Sequence, residues 1–486
     1  MRAVLLAVFF FCGPAFAQSA AHHDLSALAE LRGEAFEPSS KMVFSVETGP
    51  IGGPARTLTF AIESGPNWAA WFDDDNNARL VDFRTNRIVM LDQEAQTQTN
   101  TSLYAEARQR LDIYTALSQG GTAEIIDFGE AGQFDRFWLE AAMGIAPPET
   151  RVEVEGSDNG WVAYLENQLI FSVSQGDTCA ALPDNEKRAL ITALRHITSL
   201  HPEITAQLRR SDIPLCQFSF VVFSPDSSGG RMETWTRTET DIAEFESQLI
   251  LFDEAELALP RPDLTLALSD ALLPGDEDAA PDPISFFETI SQMRAIGDMA
   301  GALLVTYQES LHFGPCPSAT VGSDRLACVE AQSLAQSGIG DREFEQAAEG
   351  MQAAREGNHP GAIRSLESFI DRDDMAGAAA RVLVANALIG WGEDGLMQYP
   401  HLDPAELLGE AMLLDPYATE IHAFYAQRFL AAGAPHAAWT LFDRARSIEG
   451  RAKTPNFDQV AELESYQRNL MPDWFAPATD SPQGKE

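Results

Sequence analysis

The hydrophobic pattern of the chain changes once, near residue 250, and this change constrains the fold more than any other feature. Before it, apolar residues alternate along short segments, as Met42, Phe44 and Val46 do. Beyond residue 285 they recur at helical spacing, as Phe286 and Ile290 do. A period of two predicts strands, and a period near 3.6 predicts helices. We therefore expect an α+β protein, with an N-terminal curved antiparallel sheet and helices, followed by an all-α helical-repeat domain.

The alternating region, 41–250, predicts an antiparallel meander, because its strands are short and turn residues separate them. Arg84-Thr85-Asn86, for example, is expected to join two strands in a hairpin. Helices are predicted at about 102–118, at about 133–143 and from Asp184 onward. The acidic, proline-rich stretch that follows, 251–284, predicts a linker. A helical connector is expected over 285–340.

Residues 1–17 have the form of a secretory signal peptide. Arg2 precedes an apolar run that ends in Ala15-Phe16-Ala17, a small-x-small site after which cleavage is expected. The run is far shorter than the roughly 20 residues that cross a bilayer. Later segments of that length carry charges, so a membrane-spanning chain is not expected. The sequence thus predicts a periplasmic or secreted protein in which 18–40 form a mobile lead-in.

The composition excludes one class of partner. The chain has a net charge of −40, and such a surface repels nucleic acid and anionic lipid surfaces. We therefore expect no nucleic-acid partner. The hydrophobic fraction, 45%, is that of a globular protein with a substantial core.

Four of the five cysteines lie beyond the predicted signal peptide. An even number in an oxidising compartment suggests disulfides, and chain order favours Cys179–Cys216 and Cys316–Cys328. Four free, buried thiols are the alternative. A metal site is not expected, because the chain has no Cys-x-x-Cys and no histidine at ligand spacing from a cysteine.

A repeat of small and large apolar residues occupies 341–451. Two copies share steps of 3, 4, 5, 4 and 3 residues. The copies are Gly350, Ala353, Gly357, Ala362, Leu366 and Phe369, and Ala426, Phe429, Gly433, Ala438, Phe442 and Ala445. A middle copy begins at Ala385, Leu388 and Gly392 and resumes at Leu408 after an insertion. Small residues at these steps let two antiparallel helices touch, and the glycine at the third position of each copy, Gly357, Gly392 or Gly433, is expected at the turn.

This spacing resembles that of the tetratricopeptide repeat, and Gly433-Ala434-Pro435-His436-Ala437-Ala438-Trp439 is similar to the turn of that family. The copies lack the family's aromatic residue near the start of the first helix. The resemblance implies a concave groove that binds a protein or peptide partner. Its lining would be Met351, Arg355, Val382, Asn386, Ile389, Gln427 and Leu430, or these are ordinary packing and solvated residues. Residues 452–486 are expected to form a C-terminal tail.

The strands and helix of the first region, above all Arg79–Leu103, resemble the half-barrel of periplasmic lipoprotein carriers. That resemblance implies that the concave face of the sheet could hold a lipid or a lipoprotein. It rests on the order of strands and not on a diagnostic motif.

Motifs for catalysis are missing from the sequence. It has no Gly-x-Ser-x-Gly, His-Glu-x-x-His, phosphate-binding loop or dinucleotide fingerprint, so no catalytic residue and no cofactor is assigned. Asp73, Asp75 and Asn77 have the spacing of a calcium loop, but Ala78 stands where such a loop needs glycine. His196 and His201 are five residues apart, which does not suit a metal pair on a helix; the end of a helix is the simpler expectation.

These observations favour a non-catalytic binding or scaffold protein of the periplasm, which binds a protein or peptide through its helical repeats. Two alternatives stay open. One is a lipid or lipoprotein carrier that uses the concave face of the sheet. The other is a hydrolase without a linear motif, which would require a polar pocket where carboxylates converge with His196 or His201.

Overall fold

The structure is a computed structural model of the whole chain. The residues that it describes are 21–24, 39–72, 77–92, 97–119, 144, 152–157, 159–165, 167–175, 180–198, 200–222, 231–242, 254–257, 281–315, 326–327, 330, 333–334, 338, 340–447 and 455–475. The predicted signal peptide, the predicted helix at 133–143, Asp73 and Asp75 of the candidate calcium loop, and most of the expected lead-in and linker lie outside these residues.

The chain divides into two compact units, and neither is continuous in sequence. The sheet unit consists of Asp24–Ala255, Phe429–Thr440 and Asp458–Glu486. The helical unit consists of Met1–His23, Glu256–Arg428 and Leu441–Phe457. Most of the segment expected to be a C-terminal tail therefore belongs to the sheet unit.

Most strands are short, and those with a described pairing are antiparallel. They are β1 (Ala21–Asp24), β2 (Ser40–Pro50), β3 (Arg56–Gly65), β4 (Trp68–Phe72), β5 (Ala78–Asp82), β6 (Arg87–Asp92), β7 (Thr97–Ser102), β8 (Glu153–Ser157), β9 (Gly160–Leu165), β10 (Gln168–Ser174), β11 (Gln217–Val222), β12 (Arg231–Ile242) and β13 (Glu254–Leu257). Strands β2 to β12 lie in the order β7-β6-β5-β4-β3-β2-β12-β11-β10-β9-β8. The antiparallel sheet predicted from the alternation is thus confirmed. Strand β7 was not predicted, because its sequence, TQTNTS, is polar at every position.

The helices complete the α+β architecture. They are α1 (Leu103–Gln119), α2 (Asp184–Ile197), α3 (Pro202–Arg210), α4 (Pro283–Ile296), α5 (Met299–Phe313), α6 (Arg342–Arg355), α7 (His359–Leu366), α8 (Met375–Trp391), α9 (Glu393–Gln398), α10 (Pro404–Leu414), α11 (Thr419–Ala431), α12 (Pro435–Ser447), α13 (Pro455–Leu470) and α14 (Pro472–Phe475). Among the described residues, no helix is both long and apolar enough to cross a membrane.

One face of the sheet carries a row of aromatic side chains. Alternation along β2 buries Met42, Phe44 and Val46 completely or almost so, and neighbouring strands continue this face. The ring centroids of Phe44 and Trp235 are 5.5 Å apart, those of Trp235 and Phe218 5.8 Å apart. The row runs on through Phe171 to Trp161, whose ring centroids are 4.9 Å apart. Helix α2 packs on β3 and β4, and we call this face the aromatic face.

The opposite face of the sheet is also buried where β4, β5 and β6 pair. Its side chains form one apolar cluster, because residues two apart on a strand point to the same side. The cluster contains Trp68, Ala70, Phe72, Ala78, Leu80, Val89 and Leu91. Strands β4 and β5 are therefore largely buried on both sides, whereas β2 is buried on the aromatic face and more exposed on the other.

The helical unit is built from antiparallel helix pairs. Helix α4 packs on α5, α6 on α7, and α8 on α10. Most of these helices begin at an Asp or Asn whose side chain accepts a hydrogen bond from a backbone N–H of the first turn. These caps are Asp282, Asp298, Asp341, Asn358, Asp374 and Asp403.

Three helix pairs turn in the same way. Gly297, Gly357 and Gly433 have φ of 86°, 71° and 72°, a left-handed conformation that favours glycine. In each, the residue after the glycine donates a hydrogen bond to a carbonyl five residues back; Asn358 donates to Ala353 at 2.8 Å, for example. This is the Schellman pattern of helix ends. The repeat spacing predicted the turns at Gly357 and Gly433, and the one at Gly297 was not predicted.

A buried polar group joins the helices of the helical unit. Nε2 of His312 and Nε2 of Gln308 each lie 2.6 Å from Oδ2 of Asp415. His312 and Gln308 are fully buried, as Asp415 nearly is. Burial raises the pKa of Asp415, but the opposing contributions of His312, Gln308 and the Tyr417 N–H outweigh it, so the pKa lies below its ordinary value. The group connects α5 to the end of α10.

Candidate functional site

Six side chains of the sheet unit form a group that we call the cationic–aromatic cluster. Strands β4 and β5 supply two of them, α1 supplies one, α2 supplies two and α14 supplies the last. The members are Trp71, Arg79, Arg110, Arg195, His196 and Trp474. Segments nearly 400 residues apart in the sequence therefore meet at one place.

Helix α2 brings an arginine and a histidine to the cluster. Leu190, Ile191 and Leu194 are fully buried, so the apolar face of the helix lies against the sheet. Arg195 and His196 follow in the last turn, where the negative end of the helix dipole favours a cation. Arg195 is 2% exposed and His196 4% exposed, which is unusual for arginine.

Strand pairing and helix spacing position the other two arginines. Arg79 lies opposite Trp71 in the neighbouring strand, and its Cζ is 5.7 Å from the centroid of that ring. Nη2 of Arg79 donates to Oε1 of Glu106 on α1 at 2.5 Å. Arg110 follows Glu106 by one helical turn, so both side chains lie on the same side of α1.

Trp474 occupies the centre of the cluster. Cζ of Arg110 is 4.4 Å and Cζ of Arg195 5.5 Å from the indole centroid. The imidazole centroid of His196 is 4.0 Å away. Nε2 of His196 donates to the backbone carbonyl of Trp474 at 3.2 Å, since a carbonyl can only accept. Both guanidinium groups are within the range of cation–π attraction.

His196 is neutral and lies in a positive field. Burial lowers its pKa well below the usual range, and Arg79, Arg195 and Arg110 lower it further. Among the described residues, the charged groups named as acting on this ring are cations. With its proton on Nε2, the ring has a lone pair on Nδ1, and this buried atom has no hydrogen-bond partner in the described part of the chain.

A second set of contacts holds the C-terminal segment beside the cluster. The rings of Tyr104 and Phe475 stack with centroids 4.7 Å apart. Arg468 donates from Nε to the hydroxyl of Tyr104, and the ring of Trp439 also stacks on Tyr104, with centroids 6.4 Å apart. Nε1 of Trp439 donates to Glu464 at 3.0 Å. Helix α13 is therefore tied to α1 independently of Trp474.

The cluster is suited to recognition of an anion. Its members include neither a carboxylate nor a hydroxyl or thiol nucleophile. The nearby carboxylate of Glu106 is paired with Arg79 and also attracts Arg110. Guanidinium groups bind phosphate and carboxylate through paired hydrogen bonds, and the aromatic rings offer flat apolar surfaces.

The histidines that the sequence singled out have separate roles. His196 lies in the cluster. His201 is fully buried, and its Nδ1 caps α3 by accepting from the Glu203 N–H at 3.2 Å. The hydrolase alternative, which would require carboxylates to converge on either ring, stays a prediction. The described residues also hold no group that could bind a metal ion.

The partner groove and the pairing of the cysteines stay predictions. Of the groove residues, Met351 and Val382 are buried, Arg355 is exposed, and the rest are half-buried: Asn386, Ile389, Gln427 and Leu430. Cys216 is disulfide-bonded. Cys179, Cys316 and Cys328 lie outside the described residues.

Sequence reasoning missed most of the cluster. It identified His196 but not its neighbour Arg195, and it assigned Trp474 to a tail. Arg79 and Arg110 lie in a strand and a helix that were both predicted. An arginine at such a position does not by itself indicate a binding site. The one usable signal was Trp474-Phe475, two adjacent aromatic residues in a segment otherwise rich in polar residues.

Comparison with known proteins does not identify a family or a function for this chain. No family model matches the chain, and no curated protein matches it. Among solved structures, a LolA superfamily protein from Nitrosomonas europaea matches with 8% identity and a TM-score of 0.20, over 46% of this chain and 96% of that one. Lipovitellin, in a structure of its lipid–protein interactions, matches with 10% identity and a TM-score of 0.14, over 89% and 58%. At such TM-scores function has to be inferred from this chain's own side chains.

Proposed function

We propose that this protein is a non-catalytic binding protein of the periplasm whose sheet unit takes up an anionic amphiphile, a molecule with an acyl chain and a phosphate or carboxylate head. The observation that supports the proposal is the cationic–aromatic cluster. Three arginines surround a neutral, buried histidine in a chain whose net charge is −40. Since the overall charge repels anions, a local concentration of cations favours a specific site.

The position of the cluster supports the proposal that the ligand has an apolar chain. Trp71 pairs with Ile62 across β3 and β4, and Ile62 pairs with Met42 across β3 and β2. Cross-strand partners share a face of the sheet, so the cluster continues the aromatic face. An amphiphile whose head binds the arginines would have Met42 and Phe44 beside its acyl chain, which would have to displace the packing that buries them.

The proposal predicts that one arginine determines affinity for the head group. Arg195→Met keeps the length of the side chain and removes its charge. Because a hydrogen bond between two charged groups contributes about 1.5–3 kcal/mol, we expect the Kd for dodecyl phosphate to rise on the order of tenfold or more. Isothermal titration calorimetry below the micellar concentration measures this.

Arg210→Met is the matched control, because Arg210 is exposed on α3 and is not part of the cluster. It should bind dodecyl phosphate as the unaltered protein does. Equal affinity of both variants, or no binding of dodecyl phosphate by the unaltered protein, would contradict the proposal. Dodecyl maltoside, which has the same chain and no charge, should bind more weakly than dodecyl phosphate.

A second candidate function is binding of a protein or peptide by the helix pairs. The repeated turn at Gly297, Gly357 and Gly433 favours it, since arrays of equivalent helix pairs form extended binding surfaces. Binding of the full chain to a peptide array should then fall when Arg355 and Asn386 are replaced by alanine. Arg210→Met should leave that binding unchanged, and an equal loss in both proteins would count against the groove.

A further inference from the structure

We infer that Trp474 is a removable occupant of the cationic–aromatic cluster, so that the C-terminal segment closes the site until the anionic head of a ligand takes the place of the indole. This inference rests on the proposed function and adds its regulation. In the structure the indole lies where an anion would meet both guanidinium groups, 4.4 Å from Cζ of Arg110 and 5.5 Å from Cζ of Arg195.

The contacts of Trp474 are ones that a bound anion can replace. The electron-rich face of an indole attracts a cation, but an anionic oxygen attracts it more strongly and also accepts hydrogen bonds. His196 donates to the carbonyl of Trp474 through Nε2, and the same N–H could donate to an oxygen of a phosphate or carboxylate. Each group of the cluster that loses a contact with Trp474 would thus gain a contact with the ligand.

The segment can leave without the rest of the sheet unit unfolding. Helix α14 has four residues, Pro472–Phe475, and a helix this short has little stability of its own. The helix before it, α13, keeps separate anchors, because Arg468 donates to Tyr104 and Glu464 accepts from Trp439. The break between the two helices at Met471 is the natural position for a hinge.

Trp474→Ala tests this inference in the full chain. Removal of the indole should lower the Kd for dodecyl phosphate about tenfold, because the ligand no longer competes with it. Tyr466→Ala is the matched control: it removes an aromatic ring from α13, the helix that keeps its anchors, and that ring is 58% exposed. It should leave the Kd within about twofold. Inorganic phosphate, tested alongside, shows whether the head alone is enough.

The outcomes separate the two proposals. If Arg195→Met weakens binding but Trp474→Ala binds like the unaltered protein, the closing role of Trp474 is wrong and the proposed function stands. If none of the proteins binds dodecyl phosphate, both are wrong. If Tyr466→Ala gains affinity as much as Trp474→Ala does, a general loosening of the C-terminal segment and not occupancy of the cluster is responsible, and the inference is refuted.

A measurement on the unaltered protein covers the case in which Trp474→Ala does not fold. Hydrogen–deuterium exchange of the amide of Trp474, which donates to the carbonyl of Met471 at 3.0 Å, should become at least tenfold faster when dodecyl phosphate is bound. Exchange in β2 should be unchanged or slower. An unchanged or slower exchange at Trp474 under saturating ligand would overturn the inference.

Discussion

His422 shows how a single buried side chain makes the helical unit sensitive to pH. Burial lowers the pKa of His422 to about 4. Arg444 and His312 also oppose its protonation, while the carbonyl of Ala418 and the carboxylate of Asp415 favour it. In an unfolded chain the pKa of histidine is about 6.5. As pH falls, the unfolded state therefore takes up the proton first, and acid destabilises the fold.

We predict the size and the pH range of this effect. Above about pH 7 both states are neutral and His422 has no effect on the pH dependence. Between about pH 6.5 and 4 the free energy of unfolding should fall by about 3 kcal/mol on account of this residue. In His422→Gln that part of the fall should be missing, because glutamine does not titrate.

Urea unfolding of the helical unit at several pH values measures the effect. His401→Gln is the control, since His401 is 60% exposed, and it should leave the pH dependence nearly unchanged. A curve for His422→Gln that is as steep as that of the unaltered protein would show that His422 is protonated in the folded state.

At the scale of secondary structure, two positions of one helix pair require glycine for different physical reasons. Gly357 has φ of 71°, and a Cβ there would meet open space. Gly350, inside α6, has an ordinary φ, but a Cβ there would lie 2.5 Å from Cγ of Leu366 on α7. The first is required by backbone conformation and the second by the close approach of two helices.

The two causes predict different responses to alanine. Gly357→Ala should destabilise the helical unit by about 1–2 kcal/mol through backbone strain, and Gly357→Asn should cost less, because asparagine tolerates that conformation. Gly350→Ala should cost about 1–3 kcal/mol through overpacking. In a double variant, Leu366→Ala should remove part of the destabilisation caused by Gly350→Ala. It should remove none of the destabilisation caused by Gly357→Ala. Thermal unfolding of the double variants measures this coupling, and equal coupling for both glycines would contradict the assignment.

These elements also show what the sequence could predict. Helix pairs and their turns follow from local rules, since a glycine at a fixed offset from apolar positions is recognisable without any tertiary contact. The same holds for the hairpin at Arg84-Thr85-Asn86. The meeting of Arg79, Arg110, Arg195 and Trp474 obeys no local rule, because each residue comes from a different element. A polar strand such as β7 is equally invisible to hydrophobic periodicity.

At the scale of the whole molecule, the division into units predicts how a cut chain behaves. A protease site inserted after Gly275, in the predicted linker, would separate most of the sheet unit from residues 276–486. Because Phe429–Thr440 and Asp458–Glu486 belong to the sheet unit, we expect the two fragments to remain associated. They should elute together in size-exclusion chromatography without denaturant and separate only in urea.

A shortened chain provides the control. When residues 455–486 are deleted, the contacts of Arg468, Trp474 and Phe475 with the sheet unit are lost, and the cut fragments should separate at lower urea concentration. Fragments of the full chain that separate in plain buffer would show that the C-terminal segments contribute little to the sheet unit.

The return of the C-terminus to the sheet unit has a consequence for the timing of folding. A ribosome makes the chain from one end, and nearly all strands of the sheet are complete before the first helix pair is synthesised. Yet Trp474, which contacts His196 and Arg195, follows all of these strands and helix pairs in the sequence. A sheet that forms before residue 474 has joined it would therefore leave a charged, aromatic surface without its indole. A chain cut before residue 474 would keep that surface uncovered.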